Sequence, residues 1–429
     1  MGTENFRLTE TLDDLMGGSP EVYFAPLGSF SRHNSTLTYT AGPANVSEAV
    51  HRAESPSIVN HLDPRFIKVM NLNMQAVRVL FGREPNDESY PMIVPGTGST
   101  AAGAAIYNLL NPGDLAVVVN QGFFGKRLVE FLQSYGINYE VVDAEWGQSV
   151  DPTKLETKLK EIHTSGRNVK ALLSVLVETS TGVRDPNTRK YSDIYRDIFP
   201  KGYVIVDAVS AAGGFPISID GLGADVVFYC VQKGIGSNQG SAVALFNERA
   251  VQEAVRTEEQ RPDEPLEYSA KVPWQISARK YAEYLSGKSG QGPRSFIVTF
   301  PSQSGMALYQ AYKELFDFPG GLESLFQTYE KASELLLTRA GEMGFTNFVT
   351  DSDSKGPTIT VLKVPHGIRA PDYIAKLSCG YDTQLNAAFP PINNEAVRIG
   401  LLGPVNTQRL RVLQLLDNMG SGLRDLRGA

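Results

Sequence analysis

Cysteine is scarce in this chain: only Cys230 and Cys379 among 429 residues. They stand far apart in sequence, so neither a disulfide framework nor a Cys-rich zinc site organises the fold. Histidine is nearly as rare, limited to His33, His51, His61, His163 and His366. None of these pairs at His-x-x-x-His spacing, and no metal site is expected. No apolar run reaches the length of about 18 residues that marks a membrane-spanning helix, so no membrane partner is expected. Basic charge is not in excess either, with 40 Lys plus Arg against 47 Asp plus Glu and a formal net charge of −7. Nucleic-acid phosphates reward basic surfaces, so no nucleic-acid partner is expected.

Sorting signals are missing as well. The first residues, MGTENFRLTETLDD, are acidic and polar, without the apolar segment of a secretory leader. Phe6 occupies the position where a myristoylation signal needs Ser or Thr. The final Leu426-Arg427-Gly428-Ala429 is neither a peroxisomal nor an endoplasmic-reticulum address. A soluble cytoplasmic enzyme is the expectation.

What the chain does have is apolar material: 42% of residues are hydrophobic and 20% charged, enough for a sizeable core and too apolar for disorder. Its length predicts two or three domains. Residues 1–40, with Gly17-Gly18-Ser19-Pro20, read as an irregular N-terminal arm. From about residue 90 to 250, short apolar, β-branched runs alternate with helical stretches. The runs include Leu115–Val119, Tyr139–Val142, Ala171–Val177, Tyr203–Val206, Val226–Tyr229 and Ala242–Phe246. Lys126–Tyr135 and Pro152–His163 are helical in pattern. This is the signature of an α/β fold with a mostly parallel sheet covered on both faces. Residues 250–295 read as a polar connector. Beyond them, long helical patterns (Met306–Phe316, Leu322–Met343) mix with short strands and predict a smaller C-terminal α+β domain. The predicted division is an arm at 1–40, a large domain at 41–300 and a small domain at 301–429.

Three stretches carry chemistry. Val94-Pro95-Gly96-Thr97-Gly98-Ser99-Thr100 is a small, hydroxyl-rich turn opening into an Ala-rich helix. Amides at a helix start suit a phosphate, although the glycines also serve a plain tight turn. The stretch half-matches a dinucleotide fingerprint, but no strong β-run precedes it. In Tyr203–Val206 an apolar strand ends in the carboxylate Asp207. Strand ends of open α/β sheets hold ligands, and Asp207 is either a ligand group or the cap of the next turn. In Val226–Val231 a third apolar run leads to Gln232-Lys233-Gly234. Lys233 is either the first exposed residue after a strand or a desolvated amine with a lowered pKa, able to form a Schiff base. Together, a phosphate cradle, an acid for a pyridine nitrogen and an amine for an aldehyde are what pyridoxal phosphate needs.

With these motifs the chain resembles the class V branch of fold-type I pyridoxal-phosphate enzymes, most of all the alanine–glyoxylate and serine–pyruvate aminotransferases and their ureidoglycine–glyoxylate relatives. The resemblance spans roughly residues 38–415. It rests on Gly96-Thr97-Gly98-Ser99, Glu178-Thr179-Ser180-Thr181-Gly182-Val183, Asp207-Ala208-Val209, Gln232-Lys233 and Arg398-Ile399-Gly400-Leu401-Leu402-Gly403. It implies Lys233 as the Schiff-base lysine and Asp207 as partner of the pyridine nitrogen. Val209 and Phe124 would flank the ring, and Thr179 would lie near its phenolic oxygen. Thr97, Gly98, Ser99 and Gln232 would bind the phosphate. Thr299 would reach the phosphate of a neighbouring subunit, which implies a homodimer with shared active sites. Arg398 would grip the substrate carboxylate in a bidentate fork. The implied reaction is a ping-pong transfer of an amino group from a small amino acid, such as alanine or serine, to a 2-oxo acid such as glyoxylate or pyruvate.

The chain also departs from the pattern. Phe296 stands where relatives carry a phosphate-binding tyrosine, and Gly234–Gln239 lacks the usual apolar, Pro-containing stretch. The same cofactor supports a second reading, a lyase, desulfurase or epimerase. Cys379 precedes Arg398 as a desulfurase nucleophile would, but its Leu-Ser-Cys-Gly-Tyr setting is not that motif. Desulfurases also stack a histidine where this chain has Phe124. A third reading is a nucleotide-binding oxidoreductase or a non-catalytic relative. Asn60–Phe66 resembles a family segment that leads into a long helix.

Overall fold

The computed structural model describes residues 6–16, 36–54, 59–260, 276–277 and 298–428. Strand β1 (Leu37–Thr38) precedes the main sheet. That sheet contains β2 (Tyr90–Gly96), β3 (Leu115–Asn120), β4 (Asn138–Asp143) and β5 (Ala171–Val175). A short hairpin of β6 (Val177–Glu178) and β7 (Val183–Arg184) follows β5. The sheet is completed by β8 (Tyr203–Asp207), β9 (Val226–Cys230) and β10 (Gly240–Phe246). Its seven strands lie in the order β2-β10-β9-β8-β5-β3-β4. Only β10 runs against the others, pairing antiparallel with both β2 and β9. The expected mostly parallel α/β architecture is therefore present.

Burial explains the run pattern. All residues of β3, β5, β8 and β9 are buried. Strands covered on both faces need no polar alternation, so they read as continuous apolar runs. Edge strand β4 has only Val142 buried and alternates weakly.

Strand β2 is the one the sequence conceals. Pro91 and Pro95 interrupt its pattern, yet Pro91 pairs with Leu245 and Pro95 with Ser241 across to β10. Proline is tolerated there because β2 lies at the sheet edge, with β10 its single neighbour among the described residues. The turn at Gly96 thus does follow a strand.

Helices cover the sheet. Gly98–Leu109 packs on β9 and β10, and Phe123–Ser134 on β3 and β4. Pro64–Leu80 starts as its sequence dictates, with Pro64 in the first turn and Asp63 accepting the Arg65 amide. Asn60–Phe66 thus leads into a long helix, as expected. The stretch from 250 begins as a helix, Glu248–Glu259, capped by Asn247 accepting the Ala250 amide. The remainder of that expected connector, residues 261–275 and 278–297, lies outside the described residues, and Phe296 with it.

A second core builds on the sheet of β11 (Thr346–Asn347), β12 (Ile359–Lys363), β14 (Asn386–Ala387) and β15 (Ala396–Gly400), in the order β11-β12-β15-β14. Strand β13 (Thr383–Gln384) pairs instead with β1. Helices Gly321–Glu342, Ala370–Tyr381 and Arg409–Arg427 supply Leu336, Tyr373, Leu377, Leu415 and Met419 to this core. Leu37 and Tyr39 belong to it, whereas helix Ser302–Phe316 packs into the first core through Leu308, Tyr309 and Tyr312.

Candidate active site

The parallel strands bring their carboxyl ends to one rim, where open α/β sheets bind ligands. There β8 ends at Asp207 and β9 at Cys230, three residues before Lys233. A cavity opens at this rim. It is lined by Thr97, Gly98, Ser99, Phe124, Thr179, Asp207, Val209, Gln232 and Lys233. The sequence therefore identified residues that the fold gathers from β2 to the far side of β9.

Lys233 borders the cavity under the N-terminal segment. Its Nζ donates to the carbonyl of Ala41. Burial pushes its pKa down; Cys230 counters this, Arg398 adds to it and Asp207 counters it again. Such an amine is more readily neutral, hence nucleophilic and basic, than an exposed lysine. Gly42 passes so close that a Cβ there would lie 2.5 Å from Lys233 Cε. With φ at +117° as well, only glycine fits without strain.

Asp207 is buried, and its Oδ1 accepts the Val209 amide at 2.8 Å. Burial raises its pKa to about 7; the Val209 amide and Lys233 pull downward, while Glu178 pushes up. A cationic pyridinium beside it would reverse the burial penalty. The protein free of cofactor carries a stability cost from this group. An unfolded Asp ionises near 3.8 but the folded one near 7, so folding binds a proton in between and stability falls as pH rises across that window. Asp207→Asn is expected to flatten part of that fall, measured as thermal midpoints of the cofactor-free protein between pH 4 and 7. An unchanged slope would show that Asp207 ionises freely in the fold.

The start of helix Gly98–Leu109 forms another wall. Its first helical hydrogen bond is from the Ala101 amide to the Thr97 carbonyl, at 3.1 Å. Earlier amides of a first turn have no helical acceptor, which suits a phosphate. Thr179 Oγ1 lies 2.5 Å from Ser210 Oγ. Gln232 has a buried amide oxygen without a partner. The donor set thus fits pyridoxal phosphate: helix amides and hydroxyls for its phosphate, Asp207 for its ring nitrogen, an amine for its aldehyde.

Glu178 was legible only as part of a turn motif. It is fully buried and organises one wall of the site. Its carboxylate accepts the amides of Phe124 (3.0 Å), Gly125 (3.1 Å) and Ser180 (3.0 Å), and the Ser180 hydroxyl (2.5 Å). A carboxylate at a helix N-terminus also complements the helix dipole. It fixes the end of helix Phe123–Ser134, and with it the Phe124 side chain. Burial still dominates and raises its pKa.

Arg398 sits mid-strand in β15, opposite Val361 of β12 and Asn386 of β14. Its Nε donates to the Ala387 carbonyl at 2.8 Å, and its guanidinium lies 4.4 Å from the Phe389 ring centre. Burial lowers its pKa to about 10, and Glu178 pulls the other way. It makes no ion pair among the described residues. Arg398 stands outside the cavity lining but near enough to Lys233 to act on its charge. Arg127, which does line the cavity, forms a partly exposed pair with Glu130 at 3.2 Å. Thr299 is exposed and lines no part of this chain's own cavity. Cys379 is exposed on helix Ala370–Tyr381, also away from the cavity lining.

Fold and cavity together define a fold-type I pyridoxal-phosphate enzyme. Residues 41–271 match the model of the family described as aminotransferase class-V. The chain belongs to that family, and it is a pyridoxal-phosphate-dependent aminotransferase. A soluble hydrogenase 42 kDa subunit of Anabaena cylindrica is 28% identical, over 85% of this chain and 88% of that protein. Mouse alanine–glyoxylate aminotransferase is 26% identical, over 90% and 86%. Among solved structures, alanine–glyoxylate aminotransferase from Nostoc sp. superposes with a TM-score of 0.79 at 26% identity, over 95% of this chain and 99% of that one.

Proposed function

We propose that this aminotransferase moves an amino group from a small, uncharged amino acid, of the alanine or serine kind, to a small 2-oxo acid such as glyoxylate or pyruvate. The observation that carries this reading is Arg398, a buried cation beside Lys233 with no ion pair among the described residues. Arg398 has donors to spare for one carboxylate, while Arg127 of the cavity lining is engaged in a partly exposed pair with Glu130. A second acidic group on the substrate would meet no unpaired arginine among the described residues of the cavity lining and would be costly to desolvate. The glyoxylate enzymes among the similar proteins support the choice of acceptor.

When bound, pyridoxal phosphate supplies an aldehyde for the amino group and a ring that stores an electron pair. The chain supplies the rest. Thr97, Gly98, Ser99 and Gln232 hold the phosphate, and Phe124 and Val209 confine the ring between them. Asp207 keeps a proton at the ring nitrogen. Lys233 anchors the cofactor and, once displaced by substrate, takes the proton from the substrate Cα and passes it on. Its contact with the Ala41 carbonyl gives the freed amine a resting place. Arg398 fixes the carboxylate and so aims the Cα proton. In the homodimer that the family resemblance implies, Thr299, exposed in the single chain, would serve the neighbouring site.

Absorption spectroscopy tests the reading. Alanine, serine or glycine added singly to the yellow holoenzyme should bleach its visible band and release the matching 2-oxo acid. Release of ammonia or sulfide, or racemised amino acid without bleaching, would replace transamination by lyase, desulfurase or epimerase chemistry. Arg398→Gln is expected to raise the KM for the effective amino acid roughly 30-fold or more while the cofactor band persists, the size of loss seen when one partner of a buried charge pair is removed.

A further inference from the structure

Arg398 is held by more than its strand. Phe389, just beyond β14, lies beneath its guanidinium with 4.4 Å from Cζ to ring centre. The same ring stacks on Phe123 of the large-domain helix Phe123–Ser134, with centroids 4.3 Å apart and planes 6° from parallel. A parallel ring and a guanidinium at these distances cannot share one face, so Phe389 lies between them. Arg127 also lies over the Phe123 ring, with its Cζ 5.0 Å from the ring centre. Phe124 meets both phenyl rings edge-on, at 82° to each. The result is a pair of stacked phenyl rings, each with an arginine over it, that joins β15 to the helix carrying Phe124.

We propose that Phe389 and Phe123 are positioning residues for substrate recognition: their stack sets the plane of the Arg398 guanidinium and so the geometry of its fork on the substrate carboxylate. This rests on the proposed role of Arg398. Among the described residues only Nε is hydrogen-bonded, to the Ala387 carbonyl. A single hydrogen bond leaves the planar group free to rock, and bidentate recognition of a carboxylate requires its plane to be set. The ring face supplies that restraint and attracts the cation without neutralising it. A carboxylate in that place would fix the plane but cancel the charge needed for substrate. An aliphatic side chain would do neither.

The test compares holoenzyme variants Phe389→Leu, Phe389→Tyr and Arg398→Gln. Three quantities are read: KM and kcat for alanine, the inhibition constant of propionate, and the visible cofactor band. Propionate presents a carboxylate without an amino group, so it reports on the fork alone. Phe389→Leu is expected to raise both the alanine KM and the propionate constant about tenfold, the scale of a desolvated cation–ring contact. The kcat and the cofactor band should change far less, and Phe389→Tyr, which keeps the ring, should restore both constants. If Phe389→Leu leaves the propionate constant at the wild-type value, the proposal is overturned. It is overturned equally if the band and kcat fall in step with the constants, which marks a general packing loss. If Arg398→Gln itself leaves the propionate constant unchanged, the carboxylate role of Arg398 fails, and the positioning role falls with it for a distinguishable reason.

Discussion

Lys233→Ala is expected to lower turnover by at least roughly 10²- to 10⁴-fold, the loss that follows removal of a positioned proton-transfer group alone. Loss of the cofactor's covalent anchor should add to this. The cavity walls do not depend on the lysine, because Asp207, Thr179 and the start of helix Gly98–Leu109 are held by their own hydrogen bonds. The variant should therefore fold and still take up pyridoxal phosphate. Borohydride treatment followed by denaturation separates the cases. It should fix the cofactor to the wild-type chain and leave it releasable from the variant. A variant that retains wild-type turnover would remove Lys233 from the chemistry. Methylamine added in trans should recover part of the activity if a missing amine is the whole defect.

Glu178→Ala carries the largest expected structural cost. Three amides and a hydroxyl end on this one carboxylate, in a place water does not reach. Leaving such donors without an acceptor costs about 1–3 kcal/mol each, so a loss of about 3 kcal/mol or more is expected, or on the order of 5 °C in the thermal midpoint. The helix end bearing Phe124 should loosen too, and cofactor affinity should drop along with stability. Glu178→Gln keeps one acceptor and the side-chain shape, so its loss should be smaller in both readouts. If Glu178→Ala lowers the midpoint but leaves cofactor affinity intact, the Phe124 wall does not depend on this carboxylate.

Asp207 and Lys233 were legible in the sequence because Asp207 ends an apolar run and Lys233 follows closely on another, and a charged residue in such a place has few reasons to be there. Burial of β8 and β9 on both faces is what makes those runs continuous. Arg398 was legible for a related reason, as a cation inside a short apolar strand. Other features left no local trace. Strand β2 hid behind two prolines that only an edge position permits. Glu178 looks like any turn carboxylate until the start of helix Phe123–Ser134 folds onto it. Phe389 and Phe123 are far apart in the chain, and neither phenyl announces a partner. The Ala41 carbonyl is main chain, so no residue type marks it at all; Gly42 beside it is the nearest sign. Local patterns report burial and strand ends well. Contacts made between distant segments depend on tertiary packing, which a single sequence does not display.

The wall over Lys233 also has a consequence for how the protein is made. Its inner strand is laid down early, but its fastenings come late. The Ala41 amide is held by Asn386 Oδ1, 345 positions further on, and Asn45 by Asn406 Oδ1, 361 positions further on. Leu37 and Tyr39 are tied to Asp382 and Gln384, and Tyr39 again to Gly400. On the ribosome the sheet strands bearing Asp207 and Lys233 can pair long before any of these partners has been synthesised. A nascent chain thus holds the lysine and its acid without the lid segment that later rests on them. Synthesis order makes the N-terminal segment the last part of the site to be secured, although it is among the first to emerge.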